Sequence, residues 1–119
     1  MTTQAQQALM GQAVAALLAD TRETPDDRRT EKRQPFFTPV TVLVEEEGQQ
    51  RNYSCFSRDL SERGIGLLHN MPLNKGQATL RLPRKSGQPV ILQGEIVWCR
   101  PCGEGWFLSG VNLLGVQQT

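Results

Sequence analysis

At 119 residues the chain is long enough for one domain of ordinary size with appendages, because two independent cores would each be marginal. Thirteen basic residues against twelve acidic ones leave a formal charge of +1, which argues against the strongly basic surface that a long nucleic acid requires. Any anion site must therefore be local. The chain begins without a basic, signal-like segment, and the apolar stretch from Leu9 to Leu18 is broken by Gly11 and Gln12 and is too short for membrane insertion. A cytoplasmic protein is expected, and three cysteines without disulfide-rich spacing (Cys55, Cys99, Cys102) fit reduced thiols there.

In chain order, Leu9, Met10, Ala13, Val14, Ala16, Leu17 and Leu18 recur at helical spacing, with Thr2 or Thr3 available as cap. This predicts one amphipathic helix within residues 1–19, its polar face glutamine rather than charge, packed on its own domain or on a partner. From residue 20 to 34 the periodicity vanishes and Asp, Glu, Arg and Thr dominate, which reads as a flexible linker. Arg28, Arg29, Lys32 and Arg33 gather there against Glu31 alone. After Pro39 the period switches to two. Val40, Val42 and Val44 open a first strand and Glu46-Glu47-Gly48 turns it. Gln50 to Arg58, Ile65 to His69, Ala78 to Leu82, Val90 to Cys99 and Trp106 to Leu113 follow. Six short strands between glycine, proline and asparagine turns predict an all-β fold over 35–116, a six-stranded antiparallel barrel or closed sandwich.

Two fragments carry chemistry. An arginine pair, Arg29 and Arg33, offers planar forks of donors that match phosphate oxygens and also the O6 and N7 acceptors of guanine. Asp59-Leu60-Ser61-Glu62-Arg63-Gly64 supplies an acceptor for the N–H groups on guanine's other edge, a hydroxyl, and a glycine that permits close backbone approach. Taken singly, the first is more often a solvated charge run and the second a self-bonded turn.

Their order and spacing resemble the PilZ domain family of cyclic di-GMP receptors, from about Asp27 to Val116. Arg29 and Arg33 match its Arg-x-x-x-Arg signature, while Asp59, Ser61 and Gly64 match its Asp-x-Ser-x-x-Gly signature. Gly94 to Trp98 and Gly110 to Leu113 look like its closing strands. The resemblance implies a small split barrel that binds cyclic di-GMP, a bacterial second messenger of biofilm and motility control, on its outside. Arg29 and Arg33 would take phosphates and guanine edges, Asp59 a guanine N–H, and Ser61 a phosphate or the turn itself. An arginine at the position of Arg28 accompanies two intercalated ligand molecules per domain in that family, so two are expected here. Trp98 is either a stacking surface for a guanine or a barrel residue.

The remaining motifs point elsewhere only weakly. Cys99-Arg100-Pro101-Cys102, with Cys55 and His69, lacks the paired knuckles of a zinc site, so no metal or other cofactor is expected. His69 is the single histidine, no serine sits in a nucleophile elbow, and no phosphate-cradling glycine loop occurs, so an enzyme is not expected. The expected role is a receptor or adaptor that alters binding to an unidentified protein partner. The alternative is a PilZ-like interaction module in a pilus or motility assembly that binds no nucleotide.

Overall fold

The computed structural model describes residues 4–21, 34–85 and 87–117. One helix, α1 (Gln4–Thr21), precedes seven strands: β1 (Gln34–Pro35), β2 (Pro39–Glu46), β3 (Gln49–Leu60), β4 (Gly64–His69), β5 (Gly76–Leu82), β6 (Val90–Gly103) and β7 (Trp106–Val116). The hairpin between β2 and β3 turns on Glu47 and Gly48, with φ of 52° and 77°, the left-handed pair that matches the twist of its strands. Strands outrun the alternating apolar pattern because the hairpin arms continue where nothing is left to bury; Arg100 to Gly103 of β6 are all exposed.

All pairings are antiparallel. The six strands from β2 to β7 run β3-β2-β5-β6-β7-β4, and the β3–β4 pairing closes them into a barrel. The two-residue β1 adds to β3 where β2 has stopped. Inward positions are filled by aliphatic side chains such as Val42, Leu60, Ile65, Leu67, Leu80 and Leu92, each without solvent exposure. A buried polar pair sits among them. His69 Nε2 lies 2.7 Å from Ser109 Oγ and its Nδ1 2.6 Å from the Met71 carbonyl, so Nδ1 donates to the carbonyl and Nε2 accepts from the serine.

Helix α1 belongs to this core. Met10, Val14, Leu17 and Leu18, on one face at helical spacing, are at most 5% exposed, and the helix packs against β7. Near its start, the Gln6 carboxamide imitates a strand: Oε1 accepts from the Val116 amide at 2.9 Å and Nε2 donates to the Val116 carbonyl at 3.5 Å. Near its end, Asp20 sits where the helix dipole disfavours a carboxylate. Arg84 compensates, its Nε donating at 2.6 Å and Nη2 at 3.3 Å, and the Lys85 amide adds a bond at 3.2 Å. The Arg84 hydrogen bond, ahead of every other influence, holds the Asp20 carboxyl below its ordinary pKa.

Candidate functional site on the outer barrel face

The Asp59–Gly64 turn joins β3 to β4 and is held from inside by Ser61. This serine is 3% exposed. Its Oγ accepts from the amides of Arg63 and Gly64, both at 3.3 Å, and its own amide donates to the Gly64 carbonyl at 2.9 Å. The hydroxyl is thus engaged in steadying the turn. Just upstream, the β3–β4 register shifts between Ser57 and Asp59, and this bulge re-aims the strand. Buried Ser57 stitches the break between β1 and β2: its Oγ accepts from the Thr38 amide at 2.9 Å and donates to the Phe36 carbonyl. The Phe36 amide reaches the Arg58 carbonyl at 2.9 Å. Gln34 then pairs with Leu60 and Pro35 with Asp59. Arg28, Arg29 and Arg33 lie outside the described residues.

Register brings together residues distant in sequence. Asp59 pairs with Gly66, Gly66 with Gly110, and Gly110 with Trp98, so one transverse row crosses β3, β4, β7 and β6. Their neighbours Leu60, Ile65, Leu67, Ser109 and Val111 are buried inside the barrel. By strand alternation the row faces outward. Its middle is bare backbone. Asp59 Oδ1 accepts from the Gly66 amide at 3.1 Å, and a Cβ on Gly66 would stand 2.8 Å from that oxygen. A Cβ on Gly110 would collide with the nitrogen-bearing edge of the Trp98 indole. Carboxylate and indole therefore lean toward each other across a two-glycine floor. The Arg100 guanidinium sits over the indole, 5.0 Å from the ring centroid. One row further on, Phe56 pairs with Leu68 and Leu68 with Leu108, whose partner on β6 is Arg100; Phe37 stacks on Phe56 at 5.3 Å. Donors, one acceptor, a flat floor and an aromatic plane make a surface suited to a planar, polar ligand with anionic groups.

The family model for the PilZ domain matches residues 27–119. The chain belongs to the PilZ domain family. A comparison with curated proteins returns no match. PilZ domains are in general receptor or adaptor domains rather than enzymes, and the family is one of cyclic di-GMP receptors in which some members bind no nucleotide. The barrel and its helix agree with the expected fold. Among the described residues no helix is long and apolar enough to cross a membrane.

Of the sequence-derived candidates within the described residues, this PilZ domain brings Asp59 and Trp98 onto one face, with Ser61 and Gly64 forming the turn beside it. Gly64 starts β4 and is buried opposite Asn112. Gly66, Gly110 and Arg100 are not among the site residues to which the sequence points. The signal that unites them is cross-strand register, which depends on the bulges in β3 and β6 and is invisible along the chain. Cys99-Arg100-Pro101-Cys102 forms an arm of the β6–β7 hairpin rather than a knuckle. Cys55 points into the core, where burial pushes its thiol up to about 12. A groove of about 530 Å³ between α1 and β7 reaches the same turn, lined by Gln7, Met10, Glu62, Arg63, Asn112 and Leu114 among others. Glu62 extends to Gly11 of the helix.

Proposed function

We propose that this PilZ domain is a cyclic di-GMP receptor whose ligand docks on the outer face of β3, β4, β7 and β6 and changes the binding of a protein partner. The observation that supports the reading is the row from Asp59 to Trp98, with the residue next to Arg33 laddered to its acidic end. In this reading Arg29 and Arg33 grip phosphate oxygens and guanine edges, Asp59 accepts a guanine N–H, Ser61 and Gly64 hold the turn that presents Asp59, and Trp98 stacks on a base. Arg28 adds a third fork, which fits two intercalated ligand molecules per domain.

The flanks of the arginine segment matter energetically. Residues 22–33 run between two tied points, Asp20 on Arg84 and Gln34 on Leu60. Closing a loop costs entropy that grows with its length, and anchored ends carry part of that cost before ligand arrives. The ligand's differential affinity for the clamped arrangement then sets how far the surface changes.

Isothermal calorimetry with cyclic di-GMP tests this. The wild type should give a saturable isotherm with stoichiometry near two, and Arg29→Ala or Asp59→Ala should weaken it tenfold or more, since hydrogen bonds to charged groups contribute roughly 1.5–3 kcal/mol each. Binding untouched by both changes would remove the site, and a stoichiometry near one would remove the intercalated pair.

A further inference from the structure

We propose that Arg100 is a specificity-determining residue, an arginine that covers Trp98 in the free domain and reads the guanine edge of the base that stacks there. The inference rests on the cyclic di-GMP reading above and extends it to a residue outside both signature motifs. Trp98 is half-buried: its nitrogen edge lies against the backbone of Gly110, and the Arg100 guanidinium lies over the ring at 5.0 Å. A base reaching this indole meets the guanidinium first. A base that stacks on the indole displaces the guanidinium from the ring face to the base's edge, where the fork of coplanar donors can meet O6 and N7. Arg100 is exposed, and its register partner Leu108 presents no charge that would hold it elsewhere.

The contact differs from the one at Asp59 in chemistry. The Asp59 carboxylate reaches over Gly66 and the Trp98 indole over Gly110, which are register partners, so the two side chains converge from opposite ends of the row. Asp59 accepts from a base N–H, whereas the Trp98–Arg100 end offers a stacking plane and a fork of donors. The chemistry discriminates between purines: guanine offers two acceptors, O6 and N7, to an arginine fork, whereas adenine offers N7 beside an N6 donor that repels it.

The test titrates wild type, Arg100→Ala and Arg100→Lys with cyclic di-GMP and with cyclic di-AMP by calorimetry, and follows Trp98 emission in a Trp106→Phe background. The expected result is a loss of at least about tenfold in cyclic di-GMP affinity for Arg100→Ala, the scale of a hydrogen bond to a charged group. The preference over cyclic di-AMP should narrow, with incomplete recovery in Arg100→Lys, which keeps charge but lacks the fork. Ligand-dependent Trp98 emission in the Trp106→Phe protein should place a base at the indole. Wild-type affinity and unchanged discrimination in Arg100→Ala would overturn the assignment to Arg100 while leaving the receptor intact. No isotherm for the wild type would overturn both.

Discussion

A methyl group on Gly66 would meet the Asp59 carboxylate at 2.8 Å, so Gly66→Ala should swing Asp59 away from the site without touching the core. We expect cyclic di-GMP affinity to fall about tenfold, the loss of one charge-assisted bond, while the thermal unfolding midpoint hardly moves. Calorimetry and a thermal melt on the same sample check the pair of outcomes. His69 makes a prediction about acid. Burial, opposed by the Met71 carbonyl, lowers its pKa from the ordinary 6.5. As pH falls below about 6.5 the unfolded chain takes up a proton that the folded one still refuses, so stability declines until the folded pKa is passed. Urea unfolding between pH 7.5 and 5 should therefore show a downward slope that His69→Gln removes. Thiol labelling offers a third check: Cys102 is exposed and Cys55 is buried with its thiol pushed up to about 12, so Cys55 should react with a disulfide reagent only on unfolding.

At the level of elements, α1 is part of the barrel's core rather than an attached arm. Leu17 is 1% exposed, and Leu17→Ala should cost about 2–5 kcal/mol in urea unfolding. Removing the whole helix would expose the aliphatic surface that it covers, so docking is better probed at its end: Arg84→Ala should speed amide exchange through α1 while leaving β3 to β7 protected. Equal exchange in both proteins would show that the Asp20 tie does not hold the helix. The strands were legible from alternation because one face of each is buried, and the helix from its aliphatic spacing. The Asp59, Ser61 and Gly64 turn was legible because its spacing is local. The floor between Asp59 and Trp98 was not, since Gly66 and Gly110 become neighbours only through pairings about forty residues apart in sequence.

For the molecule as a whole, ligand linkage measures stoichiometry without calorimetry. A ligand at a hundred times its Kd stabilises a single-site fold by about 2.7 kcal/mol, and well above saturation each bound molecule adds one RT to the slope of stability against the logarithm of ligand concentration. Two intercalated molecules double that slope. Chemical unfolding at a series of cyclic di-GMP concentrations should give a slope near twice RT, and a value near RT would mean a single ligand. The residues on either side of the arginine segment are bound to the barrel, Asp20 through Arg84 and Gln34 through Leu60, so in the proposed receptor binding and barrel stability are expected to move together.

Strand β6 parts from β5 after Ile96, and among the described residues its stretch from Val97 to Gly103 pairs with β7 alone. An arm of this kind presents a sheet edge to other chains, the usual route to unwanted strand addition. Pro101 lies in the middle of it and has no amide hydrogen to give. A neighbouring strand could not ladder along the arm without a gap. Strand addition along this arm is consequently interrupted beside Trp98 and Arg100, so a partner of the proposed receptor that docks there would have to be held by side chains rather than by a backbone ladder.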